Sequence, residues 1–305
     1  MIGRFAPSPT GPLHLGNLRT ALVAWLCARR AGGQFLVRFE DLDRANSSVE
    51  NERRQLRELA ALGIDHDGDI LRQSERFDVY RRVLDELRRQ DALYPCYCSR
   101  REIREAVRAP HGTNHEGIYP GTCRTLGPAE RTERERAGRP PAWRLRTDGR
   151  TMRVDDHLLG PTDSVIGDIV LQRNDGAPAY NLAVVVDDAV QGVTQVVRGA
   201  DLLPVTGGQI ELQRLLGYPT PDYVHVPLVI GPDGERLAKR HGAVTLEDLQ
   251  PFGVEAHDAL AALAESLGCA TGGARSASDL IEAFDLSRIP HTPWSVPERW
   301  QTGSP

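Results

Sequence analysis

Residues 1–40 alternate between strand-type and helix-type hydrophobic patterns, and this alternation restricts the possible folds more than any other feature of the chain. Residues 2–5 are predicted to form a short strand, residues 14–30 repeat apolar side chains at helical spacing, and residues 34–40 place phenylalanine or valine at every second position. Such a strand–helix–strand unit builds a parallel sheet, which binds ligands at the carboxyl ends of its strands. The Pro- and Gly-rich residues 6–13 and Glu40 are expected at that edge.

The rest of the sequence predicts an α/β protein of two or more domains, which a length of 305 residues allows. Helices are predicted to begin at a capping box in residues 47–50 and to cover Phe77–Arg89, 202–216 and 256–267. Strands are predicted at 164–172, 179–186 and 193–198, the first two joined by a hairpin turn at Asp175-Gly176.

Composition excludes some classes of protein. The longest apolar stretches fall far short of the roughly 20 residues of a membrane span, and the amino terminus has no secretory signal pattern. We therefore expect a cytoplasmic, monomeric protein with no membrane contact. A net charge of −5 argues against a surface that is basic throughout. Two arginine groups are either local basic patches or solvated helix surfaces: Arg100, Arg101, Arg104 and Arg108, then Arg131, Arg134, Arg136 and Arg139.

The longest motif runs from residue 4 to residue 22 and reads RFAPSPTGPLHLGNLRTAL. It places His14 and Asn17 at the start of a predicted helix, where backbone amides and the helix dipole favour phosphate. A proline-fixed turn before a buried helix explains the prolines and leucines, but not His14, Asn17 and Arg19 together. The run resembles the HIGH signature of class I aminoacyl-tRNA synthetases, in the form seen in the glutamyl- and glutaminyl-tRNA synthetase group. Asn17 stands where that signature has its second histidine, a position that often varies.

A second motif, RLAKR at residues 236–240, follows a Pro-Asp-Gly turn and resembles the KMSKS loop of the same family. The chain has 36 arginines and one lysine, and this lysine, Lys239, lies in the motif. Ala238 and Arg240 depart from the family pattern. The resemblance implies that His14, Asn17 and Lys239 bind ATP and carry the catalysis, with Mg²⁺ accompanying ATP.

The resemblance also implies a site for L-glutamate. A substrate with two carboxylates and one ammonium group needs fixed cations and an anionic partner. Glu40 would meet the ammonium group, and Tyr180 and Arg198 would complete the pocket; for Glu40 and Arg198 the alternative is an ion pair between two strand ends. The expected glutamate-binding residues are Arg4, Phe5, Ala6, Pro7, Ser8, Glu40, Tyr180 and Arg198.

Three of the five cysteines, Cys96, Cys98 and Cys123, have a spacing that favours tetrahedral zinc. From the chemistry of the residues, His111, His115 and Tyr119 are all candidates for the fourth ligand. The resemblance implies Tyr119, because C-x-C followed by Y-x3-C is similar to the zinc site of a short branch of the family. Reduced cysteines without a metal are the alternative. Cys27 and Cys269 are expected to be packing residues.

The resemblance covers roughly residues 2–250 and implies a Rossmann-like, doubly wound parallel sheet. The expected division is a first half of the catalytic domain at 1–95, an inserted zinc-binding subdomain at 96–163, a second half at 164–250 and a short helical tail at 251–305. That tail is too short for an anticodon-binding domain of usual size.

The expected activity is that of the short branch. It activates glutamate with ATP without needing tRNA, and then esterifies the glutamyl group to queuosine at the wobble position of tRNA(Asp). The alternatives are a truncated glutamyl-tRNA synthetase that charges the 3′ end of tRNA(Glu), and a catalytically silent tRNA-binding protein.

Overall fold

The computed structural model describes residues 1–99, 101–103, 119–231, 233–237, 245–269, 273–297 and 300. The strands are β1 (Ile2–Phe5), β2 (Gln34–Phe39), β3 (Leu71–Arg72), β4 (Leu93–Cys96), β5 (Ala142–Leu145), β6 (Thr151–Asp156), β7 (Gly160–Val165), β8 (Val170–Gln172), β9 (Gln195–Gly199), β10 (Asp222–Val226), β11 (Val229–Ile230) and β12 (Trp294–Ser295). The helices are α1 (Leu15–Arg30), α2 (Val49–Ala61), α3 (Phe77–Arg89), α4 (Pro128–Arg136), α5 (Tyr180–Val190), α6 (Leu203–Leu216), α7 (Leu246–Leu249) and α8 (Ala256–Ser266). None of the helices in these ranges combines the length and hydrophobicity that a membrane span requires.

Two parallel units lie side by side and form the central sheet. β1, β2 and β3 pair in parallel, as do β9 and β10. The backbone N of Thr194, just before β9, donates to O of Ile2 in β1 at 2.9 Å, which sets β9 beside β1. β6 pairs in parallel with β10, and β7 returns antiparallel to β6. The strand–helix–strand unit is confirmed, whereas the sheet is mixed rather than wholly parallel.

The core forms around α1, most of whose residues are buried against other elements. Leu18, Leu22 and Leu26 are fully buried and share one hydrophobic cluster with Phe35 and Val37 of β2. Burying each such side chain contributes about 1.5–3 kcal/mol. Helix α8 belongs to the same cluster, so residues beyond 250 complete this core.

A smaller antiparallel sheet, β4-β5-β8, lies next to helices α3 and α5. Cys96 is the last residue of β4, and the chain returns through α4 to β5. The division of the chain at 95, 163 and 250 stays a prediction. β6 falls within 96–163 and pairs with β10 of the central sheet, and β7, which pairs with β6, crosses the predicted boundary at 163 and ends at Val165.

Three local predictions are wrong. The single strand expected at 164–172 is divided, because β7 ends at Val165 and β8 begins at Val170. Residues 179–186 were expected to be a strand, but they lie mostly in helix α5. A run rich in valine favours a strand locally, whereas here both sides of a helix are buried and tertiary packing overrides propensity. Ser48, not Ser47, caps α2, because its hydroxyl accepts from the backbone N of Asn51.

Candidate active site

His14 is the N-cap residue of α1 and its imidazole closes the helix terminus. Nδ1 of His14 accepts from the backbone N of Asn17 at 3.2 Å, and Oδ1 of Asn17 accepts from the backbone N of His14 at 3.3 Å. Burial, followed by the charge of Arg236, lowers the pKa of His14 to about 4, so the ring is neutral at pH 7. A neutral ring that accepts at Nδ1 carries its proton on Nε2, which makes Nε2 a donor.

Helix α2 holds the loop that leads into His14. The Nε2 of Gln55 donates to the carbonyls of Ser8 at 3.0 Å and Gly11 at 2.7 Å. The carboxylate of Glu58 accepts from the backbone N of Leu13 at 2.8 Å. These bonds fix the Pro- and Gly-rich loop at the carboxyl end of β1, which is where the sequence predicts it.

A cavity of about 360 Å³ opens between this loop and the carboxyl ends of β1, β9 and β10. The expected ligand-binding residues that line it are Arg4, Phe5, Ala6, Ser8, His14, Asn17, Glu40, Tyr180 and Arg198. Pro7 is buried beside it, and its carbonyl accepts from the backbone N of Glu40 at 2.9 Å. Lys239 lies outside the described residues.

Arg4, which lines the cavity, and the fully buried Arg38 share a single buried carboxylate. Asp188 of α5 accepts from Nε of Arg4 at 3.2 Å and from Nη1 of Arg38 at 2.8 Å. Burial opposes ionisation of Asp188, but the charges of Arg4 and Arg38 keep its pKa below the ordinary value. Arg4 also donates to the carbonyl of Val197 at 3.1 Å, so its guanidinium is fixed against β9.

Glu40 lies next to these arginines at the end of β2. Its Oε1 is 3.6 Å from Nη2 of Arg38, and its side chain is 11% exposed. Burial raises the pKa of Glu40 to about 7, against the opposing charges of Arg38 and Arg4. A carboxyl group in this state is ready to take a cationic partner from a ligand, because an ammonium group would favour its ionised form.

Arg198 lies on the neighbouring strand and has only neutral hydrogen-bond partners. It donates from Nε to Nε2 of His225 at 3.1 Å, from Nη1 to Gln209 at 2.7 Å and from Nη2 to Thr206 at 2.7 Å. Across the described residues, no carboxylate forms an ion pair with Arg198. The alternative of an ion pair between Glu40 and Arg198 is therefore not what the structure contains.

The sequence analysis missed three buried groups around this cavity. Asp188 and Arg38 form a buried ion pair next to Glu40, and His225 accepts a hydrogen bond from Arg198. Two adjacent aspartates within the apolar run VVVDDAV were a signal, because a buried carboxylate needs a cationic partner. His225 in the apolar strand YVHV was a similar signal, because a buried imidazole needs hydrogen-bond partners.

Arg236, the first residue of the RLAKR motif, reaches the rim of the cavity. Its Nη1 lies 2.8 Å from Oδ2 of Asp201, which follows β9. This ion pair brings the start of the motif beside His14.

Three cysteine sulfurs lie together at the end of β4. The Sγ atoms of Cys96, Cys98 and Cys123 are all within 4.8 Å of one another. The hydroxyl of Tyr119 is 3.5 Å from Sγ of Cys98 and accepts from the backbone N of Cys123 at 2.8 Å. The guanidinium of Arg144 covers the Tyr119 ring at 3.8 Å. His111 and His115 lie outside the described residues.

The family model described as tRNA synthetases class I (E and Q), catalytic domain, matches residues 1–295. The chain belongs to this class I synthetase family. Among similar proteins of the family is the glutamyl-Q tRNA(Asp) synthetase of Nocardia farcinica, 53% identical over 96% of this chain and 92% of the relative. That of Symbiobacterium thermophilum is 46% identical over 97% of this chain and 96% of the relative. The expected resemblance to the short branch is thereby confirmed.

Solved structures of class I synthetases agree with the fold. The glutamate-tRNA synthetase of Elizabethkingia anophelis superposes with a TM-score of 0.79 at 26% identity, over 98% of this chain and 68% of that one. The glutamate tRNA ligase of Elizabethkingia meningosepticum, solved with its amino acid, gives 0.77 at 26% identity over 97% of this chain and 66% of that one. The two solved synthetases therefore extend beyond the part that this chain matches.

Proposed function

We propose that this chain activates L-glutamate with ATP and transfers the glutamyl group to queuosine in tRNA(Asp). The observation that supports glutamate as the substrate is that one cavity contains a cationic and an acidic side chain, each of which can still pair with a ligand of opposite charge. Arg198 has neutral partners only, and Glu40 has a raised pKa. A free carboxylate would satisfy the first group and an ammonium the second. The names of the similar proteins support the acceptor.

The reaction has two steps. An oxygen of the glutamate α-carboxylate attacks the α-phosphorus of ATP, the bond to the β-phosphate oxygen breaks, and pyrophosphate leaves. A hydroxyl of the queuosine cyclopentenediol then attacks the acyl carbon of the adenylate, loses its proton and displaces AMP. We assign His14, Asn17 and Lys239 to the phosphates of ATP, where donors positioned for the developing charge lower the barrier. Mg²⁺ would accompany ATP and neutralise part of its charge.

The cysteine cluster fits one structural zinc ion. Tetrahedral zinc with bonds of about 2.3 Å to sulfur separates its sulfurs by about 3.8 Å, and Sγ of Cys98 and Sγ of Cys123 are 3.4 Å apart. Cys96, Cys98, Cys123 and Tyr119 would hold the ion, and Arg144 would offset the negative charge of the site. A closed set of four protein ligands supplies folding stability rather than chemistry.

Transfer of labelled glutamate tests the proposal. The acceptors are tRNA(Asp) with queuosine, tRNA(Asp) without it and tRNA(Glu), and Arg198→Ala is the matched inactive variant. Labelling of only the queuosine-containing tRNA is expected. Labelling of tRNA(Glu) would instead support a truncated synthetase. Absence of glutamate-dependent ATP–pyrophosphate exchange would reject activation itself. ATP and tRNA as substrates favour a cytoplasmic enzyme.

A further inference from the structure

Arg198 and the residue opposite it on the next strand form a buried chain of hydrogen bonds that ends at a carboxylate. Arg198 of β9 is paired in register with His225 of β10, so both side chains lie on the same face of the sheet. We propose that His225, held by Asp156, is a positioning residue that orients Arg198 and thereby selects a carboxylate over a carboxamide in the amino-acid substrate. The inference rests on the proposed function.

Asp156 fixes the imidazole of His225 from one side. Oδ2 of Asp156 lies 2.6 Å from Nδ1 of His225 and accepts from the backbone N of the same residue at 3.0 Å. Oδ1 of Asp156 accepts from the backbone N of Leu158 at 3.0 Å and of Leu159 at 2.8 Å. Both the Asp156 and the His225 side chains have no exposed surface. The imidazole ring therefore has little freedom to rotate.

The proton positions along this chain follow from Arg198. Nε of an arginine always carries a proton, so Nε2 of His225 must accept, and the ring proton lies on Nδ1 and faces Asp156. His225 is thus neutral when it supports Arg198. Burial lowers the pKa of His225, and the hydrogen bond to Asp156 opposes this only in part, which agrees with a neutral ring.

A neutral group between Asp156 and Arg198 has a chemical advantage. A carboxylate bound directly to Arg198 would compete with the substrate for its charge. The imidazole instead holds Nε in place and leaves the positive charge available. Gln209 accepts one N–H from Nη1 of Arg198, and Thr206 accepts one N–H from Nη2. Three of the five N–H groups are then used, and two remain for a ligand in the cavity.

Two substitutions separate the two halves of the chain of hydrogen bonds. In His225→Gln, the side-chain amide reaches the position of Nε2, so its oxygen can still accept from Arg198. In His225→Asn, the shorter amide reaches only the position of Nδ1, so the bond to Asp156 is kept and the bond to Arg198 is lost. Tyr223→Phe is the matched control, because it removes one buried hydrogen bond on the same strand, to Gln213, and keeps the ring beneath Arg198.

Glutamate-dependent ATP–pyrophosphate exchange is measured for the wild type and the three variants, together with the Tm. His225→Asn is expected to raise KM for glutamate about tenfold or more and to reduce the kcat/KM preference for glutamate over glutamine, while KM for ATP is unchanged. His225→Gln and Tyr223→Phe are expected to stay within about threefold of the wild type. Equal losses in the Asn and Gln variants, or a rise in KM for ATP together with a lower Tm, would overturn the positioning role. A wild-type protein with no glutamate-dependent exchange would reject the proposed function instead.

Discussion

Glu40 shows how burial alters the acid–base behaviour of a single carboxyl group. Its carboxyl group is nearly buried, and its nearest cation, Arg38, is already engaged by Asp188. The folded protein therefore raises the pKa of Glu40 from 4.5 to about 7. The unfolded chain gives up this proton at a lower pH than the folded chain, so ionised Glu40 destabilises the free protein as pH rises from about 4.5 to about 7.

Glu40→Gln is expected to stabilise the ligand-free protein by about 3 kcal/mol at pH 8, and by less than about 1 kcal/mol at pH 5. Urea unfolding at the two pH values measures the difference. Glu50→Gln is the control, because the side chain of Glu50 is exposed at the surface. A stabilisation that is equal at both pH values would contradict the raised pKa. The same Gln variant should weaken glutamate binding, because its amide cannot pair with an ammonium group.

At the scale of the element, the first turn of α1 depends on a glycine that propensity alone would disfavour. A Cβ at Gly16 would lie 2.9 Å from both Cε1 and Nδ1 of His14. Gly16→Ala is therefore expected to displace the imidazole and lower the rate of ATP–pyrophosphate exchange by at least about tenfold. Its Tm should not fall much, because alanine favours a helix by about 1 kcal/mol over glycine. A full rate of exchange in Gly16→Ala would show that the imidazole can move without loss of activity.

Helix α1 is joined to α8 by a buried arginine that has carbonyl and hydroxyl partners. Arg19 donates to O of Pro227 at 2.8 Å, to Oγ of Ser266 at 2.8 Å and to O of Ser266 at 3.1 Å. Burial lowers its pKa to about 10, so it stays charged at neutral pH.

Arg19→Met is expected to lower the free energy of unfolding by about 2–4 kcal/mol, because it leaves buried acceptors without a donor. Arg30→Met is the control, since Arg30 also donates to two carbonyls of the carboxyl-terminal segment but does so at the surface. Its cost should stay below about 1 kcal/mol. Equal costs in urea unfolding would contradict the importance of burial.

Several elements could be predicted from sequence because their signals are local. β1 and α3 have the predicted bounds, and α1 begins one residue after its predicted start. Helix α5 could not be predicted, since its conformation depends on contacts far away in the chain. Asp188 within it is bonded to Arg38, 150 positions earlier. The recognised motifs indicated residues that line the cavity. Asp188, Arg38 and His225 were not indicated, because their partners are distant in sequence and no local spacing predicts such pairs.

At the scale of the whole molecule, the cysteine cluster and the cavity at the carboxyl ends of β1, β9 and β10 share no residue, so metal removal should affect the two proposed steps of the reaction differently. Extraction of the metal with a chelator, or Cys98→Ala, is expected to lower the Tm. Either change should reduce the rate of glutamate transfer to tRNA more than the rate of glutamate-dependent ATP–pyrophosphate exchange. Elemental analysis should find one zinc per chain. Cys27→Ala is the control, because Cys27 is buried but lies outside the cluster. A chelated protein with an unchanged Tm would contradict a structural metal.

The bond between Arg19 and Ser266 also has a consequence for how the protein is made. These residues are 247 positions apart, so their hydrogen bonds can form only after residue 266 has been synthesised. Helix α1 can pack against β1 and β2 early, but Arg19 lacks part of its set of hydrogen-bond acceptors until Ser266 has been synthesised. Domains usually fold from the amino terminus during translation. Here the helix that begins after His14 cannot complete its buried hydrogen bonds until α8 has been synthesised. The nascent enzyme is therefore expected to remain inactive and dependent on chaperones until α8 has emerged.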